Sequence, residues 1–473
     1  MRKPLLLALL ALLHSPFLRA ADKPNVLFLF ADDHAYDAIN ALGGTEVRTP
    51  NLDRLARNGT VFTHAYNMGS WSGAVCVASR TMLITGRSVW RANEVYGKKT
   101  EAERAAGRLW PQMMSKAGYA TAMTGKWHIT ADAEKCFDVV KDLRAGMPKD
   151  TKAAYGRPTS PDHDEWSPYD TSLGGYWQGG KHWSEVVGDN AVGFLDAAKG
   201  SARPFFAYVA FNAPHDPRQS PKEYVDLYPR DKVAIPASFQ PEYPHAKAIG
   251  AGKGLRDEDL APFPRTELAV RTHRQEYYAI ITHMDAQIGR ILDALERNGQ
   301  AKDTWVIFTA DHGLAVGRHG LMGKQNMHDH SLRVPFIIRG PGVTPGARLD
   351  APIYLQDAMA TALDVAGAER QPQVEFRSVL PLLKGDLSGR REAIYGGYLE
   401  LQRAVIHDGW KLIAYPKAGV FRLYHLAKDP EELKDLAADP ALRERRTALF
   451  TRLTALQKEL DDKLDLSAMK SLL

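Results

Sequence analysis

Several features that mark specialised classes of protein are scarce or missing in this sequence. Only two of its 473 residues are cysteines, Cys76 and Cys136, so at most one disulfide can form within the chain. The formal net charge is only +5, with no long basic run, so no nucleic acid partner is expected. No repeat of solenoid or propeller period is found. With 44% hydrophobic and 25% charged residues, the composition is typical of a large α/β domain with a smaller companion.

The most hydrophobic run lies at the N-terminus. Met1, Arg2 and Lys3 precede a short apolar run at residues 4–13, which predicts a secretory signal peptide at residues 1–21. Cleavage is expected near Ala20 or Ala21. Because the apolar run is too short to span a bilayer, we expect no stable membrane anchor. The sequence therefore predicts an exported protein, either periplasmic or secreted.

Four apolar runs of strand length each lead into ionisable residues. The runs cover residues 25–31, 119–124, 204–211 and 304–310, as expected of parallel strands covered on both faces. In open α/β sheets ligands bind beyond the carboxyl ends of the strands, so the groups that follow should converge at one edge. These groups combine acids for a metal ion with bases for an anion: Asp32, Asp33, Lys126, His128, His215, Asp311 and His312.

Small residues lead up to Cys76, and Arg80 precedes an apolar run that reads as the first turns of a buried helix. Cys76 would then lie at a helix N-terminus, where free N–H groups and the helix dipole favour an anion. Two other interpretations stay open from these residues alone. Cys76 is either a small buried hydrophobe or the partner of Cys136 in a disulfide.

The segment Cys76-Val-Ala-Ser-Arg80, followed by Leu-Ile-Thr-Gly86-Arg87, resembles the signature of type I sulfatases of the alkaline phosphatase-like superfamily. In that family a maturation enzyme oxidises the cysteine to formylglycine, and the hydrate of its aldehyde is the nucleophile. Most members have Pro at the position of Ala78. A disulfide between Cys76 and Cys136 would preclude this modification, so the two interpretations exclude each other.

The resemblance extends over nearly all of the chain and implies roles for the clustered residues. A calcium ion would be held by Asp32, Asp33, Asp311, His312 and the modified Cys76. Many members have Asn where this chain has His312, and imidazole is a soft ligand for calcium, so magnesium or another ion is an alternative. Five further residues would bind the sulfate and transfer protons: Arg80, Lys126, His128, His215 and Lys324. Of these, His128 would accept a proton from the nucleophile, and His215 with Lys324 would protonate the leaving alcohol.

The predicted fold is α/β, with a large, mostly parallel sheet between helices and a smaller C-terminal antiparallel sheet with one helix. We expect a catalytic domain at residues 22–385 and a C-terminal subdomain at 386–473. Residues 137–183 lack periodicity and are expected to form a long functional loop, whose aromatic residues either bind sugar rings or pack the loop down. His283 and Asp285 are expected on a helix surface. The tract at residues 328–330 resembles a metal tripod, but the family comparison favours a structural role.

The sequence thus predicts an exported sulfatase, an enzyme that hydrolyses a sulfate ester, with a sulfated carbohydrate as the expected substrate. Two alternatives remain. One is a phosphoesterase or phosphonate monoester hydrolase of the same superfamily, because the same site suits a phosphoryl group. The other is a catalytically silent protein that retains the pocket in order to recognise glycans.

Overall fold

The computed structural model describes residues 23–473, so the predicted signal peptide lies outside the described residues. The helices are α1 (Pro50–Arg57), α2 (Val75–Thr85), α3 (Val89–Glu94), α4 (Lys98–Ala105), α5 (Trp110–Lys116), α6 (Trp183–Ala197), α7 (Lys222–Val225), α8 (Glu267–Arg297), α9 (Asp329–Leu332), α10 (Asp357–Val365), α11 (Leu380–Leu383) and α12 (Arg443–Glu459). Among the described helices, none is both long and apolar enough to cross a membrane.

Within residues 23–473, sixteen strands form three sheets. The strands are β1 (Asn25–Ala31), β2 (Thr60–Phe62), β3 (Ala65–Tyr66), β4 (Gly69–Ser70), β5 (Ala120–Lys126), β6 (Val139–Arg144), β7 (Phe205–Ala210), β8 (Thr304–Ala310), β9 (Arg333–Val334), β10 (Phe336–Arg339), β11 (Ala347–Leu349), β12 (Ile353–Tyr354), β13 (Ala393–Tyr398), β14 (Gln402–His407), β15 (Trp410–Tyr415) and β16 (Val420–His425).

The large sheet has eight strands in the order β11-β2-β10-β8-β1-β7-β5-β6. All neighbours run parallel except β10, which is antiparallel to both β2 and β8. Every residue of β7 and β8 is buried, because helices cover both faces of the sheet. One group of packed helices contains α1, α6 and α8, and a second contains α2, α5 and α10. This architecture confirms the predicted α/β fold.

The segment at residues 137–183 is not wholly irregular, and the prediction of one long loop is wrong in this respect. It contributes β6, which pairs in parallel with β5 at the edge of the sheet. As an edge strand it is largely exposed and half of its six residues are charged, so it lacks the apolar run that reveals a central strand. Trp166, Tyr176 and Trp183 are buried, so they pack the segment down instead of offering faces to a sugar.

Helix α8 corrects a second expectation, since His283 and Asp285 are both buried and not on a surface. The Asp285 carboxylate accepts hydrogen bonds from the backbone N–H groups of Asn51 and Leu52, at 3.0 and 2.7 Å. Those two residues begin α1, whose first N–H groups have no partner within the helix. Asp285, in the middle of α8, therefore caps the N-terminus of α1.

A five-stranded sheet in the order β16-β15-β14-β13-β4 and helix α12 form the smaller C-terminal unit, as predicted. The expected hairpin is present, with Asp408 and Gly409 joining β14 to β15 at φ values of 52° and 72°. The edge strand β4 comes from the N-terminal part of the chain and pairs in parallel with β13. The domain boundary between residues 385 and 386 stays a prediction.

Candidate active site

The ends of four adjacent strands, β8, β1, β7 and β5, bring their following residues together, which confirms the predicted convergence. Asp32 and Asp33 follow β1, Lys126 ends β5, and Asp311 follows β8, and all four are fully buried. His215, His312, Arg80 and Lys324 contact this group directly. His128 contacts Cys76, whose sulfur lies within 4.8 Å of ligand atoms of Asp32 and Asp311. All of the site residues singled out from the sequence therefore belong to one cluster.

Cys76 lies in the first turn of α2, as the sequence indicates. Its Sγ is 3.4 Å from His128 Nδ1. Burial raises the pKa of the Cys76 thiol, but the charge of Lys126 and hydrogen bonds with His128 and His312 outweigh that effect and bring the pKa well below its ordinary value. Both cysteines are free within residues 23–473, so the disulfide alternative is excluded. Cys136 instead donates to the carbonyl of Asp132 at 3.1 Å.

Each carboxylate of the cluster is held by a cationic side chain. Lys126 Nζ donates to Asp32, and Lys324 Nζ donates to both oxygens of Asp33 at 2.9 and 3.1 Å. Arg80 Nε donates to Asp311 at 3.1 Å. The Arg80 guanidinium also lies over the Phe30 ring, 4.6 Å from its centre, which fixes the direction of its remaining donors. Each of the three carboxylates in the pocket is therefore paired with a Lys or Arg side chain.

Four side chains have the donors and the geometry to hold a metal ion. Ligand atoms of Asp32, Cys76, Asp311 and His312 all lie within 4.8 Å of one another. Asp32 Oδ1 is buried and has no hydrogen-bond partner within the described part of the chain, and His312 Nε2 lies 3.2 Å from Asp33 Oδ1. Burial and the nearby Asp311 carboxylate raise the pKa of Asp32 well above its ordinary value. A divalent cation would relieve this repulsion, so the residues fit such an ion.

Asp33 belongs to an overlapping group with Asp32 and His215, whose ligand atoms also lie within 4.8 Å of one another. Asp33 and His128 adopt positive φ values of 64° and 56°. Non-glycine residues in this region are strained, and such strain tends to occur at functional sites. The strand ends therefore turn sharply here and direct both side chains into the pocket.

His215 and Lys324 form a pair next to Asp33. His215 Nδ1 lies 2.6 Å from the carbonyl oxygen of Asp216, which can only accept, so Nδ1 carries the proton. His215 Nε2 then accepts from Lys324 Nζ at 3.1 Å. Burial and the charges of Lys324 and Lys126 lower the pKa of His215 well below its ordinary value. With Lys324 and Lys126 nearby, His215 is therefore in its neutral form.

Two residues of this pocket escape prediction from the sequence. Asp257 lies 3.5 Å from Lys324 Nζ, and the charges of Lys324 and Arg256 lower its pKa to about 2 against the opposing effect of burial. Gly146 lies against the His128 ring, where an added Cβ would come within 2.4 Å of the imidazole. Both lie in segments without periodicity, so no local signal distinguishes them. At Gly146 the 137–183 segment reaches the His128 side of the pocket, and the Tyr176 hydroxyl of the same segment donates to the carbonyl of His215 at 3.1 Å.

The fold and this site together define a class, the α/β enzymes that act on esters of tetrahedral oxyanions at the carboxyl edge of a sheet. A family model described as Sulfatase matches residues 24–368. A second, described as N-sulphoglucosamine sulphohydrolase, C-terminal, matches residues 317–459. The chain therefore belongs to the sulfatase family and is a sulfuric ester hydrolase.

Individual proteins are similar over most of their length. An arylsulfatase of Clostridium perfringens is 28% identical over 458 residues, which cover 89% of this chain and 92% of that protein. A solved protein in complex with its substrate D-glucosamine-2-N,6-O-disulfate has a TM-score of 0.74 at 22% identity, covering 94% of this chain and all of its own. A phosphonate monoester hydrolase of Agrobacterium radiobacter has a TM-score of 0.72 at 22% identity, covering 93% and 96%.

Proposed function

We propose that this chain is an exported sulfatase that removes sulfate from a carbohydrate, with Cys76 converted to formylglycine and a divalent cation, calcium or magnesium, in the pocket. The observation that carries the proposal is the position of Cys76, at a helix N-terminus among Lys126, His128 and His312. An anionic group and its reacting atoms are favoured there by the dipole and by the surrounding positive charge.

The formylglycine and the divalent cation would have separate tasks. A formylglycine at position 76 would supply a nucleophilic hydroxyl, and a divalent cation would supply Lewis-acid stabilisation. Carboxylate oxygens of Asp32, Asp33 and Asp311, together with His312, are the donors available to the ion. Asp32 Oδ1 supports this assignment, because it is buried and makes no hydrogen bond among residues 23–473.

The chain's own residues would bind the sulfuryl group and move protons. Arg80 and Lys126 offer donors to the sulfuryl oxygens and offset the charge that grows as the S–O bond breaks. His128, whose Nδ1 is 3.4 Å from the Cys76 sulfur, accepts a proton from the group at position 76. On the other side, Lys324 and His215 share a proton across 3.1 Å and deliver one to the leaving oxygen.

A carbohydrate substrate is supported by the relatives. The second matching family model carries the name of a sulfohydrolase for N-sulphoglucosamine, and one similar structure contains a disulfated glucosamine. Export is supported by the apolar run at residues 4–13. A secreted location would give the enzyme access to extracellular glycans, and it requires that a maturation enzyme modify Cys76 before export.

Mass spectrometry of the peptide that contains Cys76 tests the proposal directly. Protein made in a host with a formylglycine-generating enzyme should show the mass of the aldehyde, and the Cys76→Ala variant should lose turnover of aryl sulfates and sulfated sugars. A panel of glucosamine sulfates then defines the substrate. An unmodified thiol in fully active enzyme would contradict the mechanism. Binding of sulfated glycans without any turnover would instead favour the silent glycan-binding alternative.

The second candidate function is hydrolysis of phosphate or phosphonate esters. It is favoured by the similarity in fold to a phosphonate monoester hydrolase, at a TM-score of 0.72. A tetrahedral phosphoryl group would meet the same Arg80 and Lys126 donors. Turnover of matched aryl sulfates, phosphates and phosphonates discriminates between the two, and a higher kcat/KM on a phosphorus ester would overturn the assignment as a sulfatase.

A further inference from the structure

Three histidines outside the active site lie together in the buried interior. His319 follows β8 in the chain, and His328 and His330 flank the start of α9. All three are buried, and ring centres are separated by 4.1 Å between His319 and His328 and 5.5 Å between His328 and His330. One ring nitrogen of each lies within 4.8 Å of the others. Three imidazoles this close are a candidate set of metal ligands.

The hydrogen bonds of the three rings divide in the way that metal binding requires. On one side, His319 Nε2 is 3.0 Å from the carbonyl of Glu432, His328 Nε2 is 3.3 Å from the Tyr243 hydroxyl, and His330 Nδ1 is 2.8 Å from the Ser331 hydroxyl. On the other, His319 Nδ1, His328 Nδ1 and His330 Nε2 are buried without a hydrogen-bond partner anywhere in residues 23–473.

Such a division is typical of metal-binding histidines, whose second nitrogen is oriented by a carbonyl, hydroxyl or carboxylate. Buried polar atoms normally find partners, so three unpartnered nitrogens in one cluster require an explanation.

A carboxylate completes the surroundings. Glu432 Oε2 lies 3.2 Å from His328 Nδ1, without the alignment of a hydrogen bond, and Oε1 lies 2.9 Å from Lys411 Nζ. Lys411 also pairs with Asp329. Because the lysine's charge opposes that of a metal ion, the imidazole nitrogens have to provide most of the binding. Glu432 Oε2 also accepts from the backbone N–H of Asp329 at 2.7 Å, so Glu432 borders the three rings and is not counted among the ligands.

We propose that His319, His328 and His330 bind a transition-metal ion, with Zn²⁺ as the best match. Imidazole nitrogen favours zinc, copper, nickel or cobalt over calcium and magnesium, which prefer oxygen. Zinc–nitrogen bonds of about 2.0–2.1 Å in a tetrahedral site place the nitrogens roughly 3.3 Å apart, so the rings turn out of their stack and close in on the ion.

An ion at this site would have a structural consequence. The loop between β8 and α9 carries His319 and His328, and it also carries Lys324 of the active site between them. An ion bound to the three rings would tie this loop to the segment of Glu432. It would thereby hold Lys324 in register with the pocket.

Zinc stoichiometry tests the proposal. Metal-free wild type and the variant His328→Gln/His330→Gln are loaded with Zn²⁺, passed through a desalting column and analysed for metal. Both retain the same active site, so whatever zinc that site takes cancels in the comparison. We expect the double variant to bind one equivalent less than wild type. His163→Gln is the matched control, since that side chain is 75% exposed, and it should keep the full stoichiometry.

Cobalt gives an independent readout. Co²⁺ loaded into wild type should produce the intense visible bands of a four-coordinate site, and the bands should be absent from the double variant. Folding of each protein is checked without metal by circular dichroism, and the single variant His330→Gln replaces the double one if the latter unfolds. Equal zinc content in the folded variant and wild type, or identical cobalt spectra, would overturn the proposal and leave the histidines as a packed polar core.

Discussion

Replacement of Lys324 by methionine tests the role of the buried ion pairs in the candidate active site. Lys324 Nζ contacts both oxygens of Asp33 at 2.9 and 3.1 Å, His215 Nε2 at 3.1 Å and Asp257 at 3.5 Å. Methionine retains most of the side-chain volume but removes the charge and all donors. Asp33 then loses its lysine counter-ion, whereas Asp257 keeps Arg256, and removal of one partner from a buried pair costs about 3–5 kcal/mol.

Two measurable losses follow. Because Lys324 offers charge and a proton to the leaving side of the ester, kcat/KM for an aryl sulfate should fall by about 10²–10³, the usual loss when one preorganised donor is removed. The fall should appear in kcat more than in KM, since the charge on the leaving oxygen develops only in the transition state. The melting temperature should fall as well, and thermal unfolding of the metal-loaded protein measures that loss.

A surface lysine provides the control. Lys222 pairs with Asp226 at 2.7 Å, but its side chain is 59% exposed, so Lys222→Met should leave both kcat/KM and stability nearly unchanged. If Lys324→Met kept kcat within a few-fold of wild type, Lys324 would not act on the leaving group. If only KM rose, it would bind substrate and transition state equally, and the proton assignment would be wrong.

Three further predictions follow from single contacts. Ala at Gly146 should lower kcat by displacing the His128 ring, which an added Cβ would approach to 2.4 Å, while the melting temperature changes little; unchanged kinetics would refute the contact. Asp285→Ala should cost about 2–5 kcal/mol in denaturant unfolding by leaving two buried N–H groups of α1 unpaired. Chelation with EDTA should abolish activity until Ca²⁺ or Mg²⁺ is restored; full activity of metal-free protein would exclude the ion.

Asp285 also carries a pH dependence. Burial raises its pKa from 3.8 to about 6, so the folded state binds its proton more tightly than the unfolded chain does. The stability that comes with this proton is fully present below pH 4 and is lost as the pH rises through about 6. Relative to Asp285→Asn, the wild type should therefore gain stability on acidification from pH 7 to pH 4, by up to about 3 kcal/mol.

The sequence predicts central strands and their ends well because burial on both faces produces continuous apolar runs. Strand β1 and the Asp32 that follows it are examples. Edge strands lack that signal, so the sequence does not predict β6. Asp257 and Gly146 act through contacts with residues far away in the chain, which no local pattern encodes. The helical period shows which residues share a face of α8, but it does not show that the start of α1 needs an acceptor from Asp285.

Because local patterns do not encode distant contacts, the active-site histidines can be predicted from the sequence, but the cluster of His319, His328 and His330 cannot. His215 and His312 follow strands, and the sheet brings every strand end to one edge, so topology alone places them together. His319 and His328 lie within one irregular loop, and their convergence depends on Glu432 and Tyr243 from elsewhere in the chain. Both clusters are buried arrays of polar groups, and buried polar groups are stable only when each is partnered. The active site leaves Asp32 Oδ1 without a hydrogen bond, and the loop histidines leave one nitrogen on each ring without one, so a metal ion is the partner that we propose for both clusters.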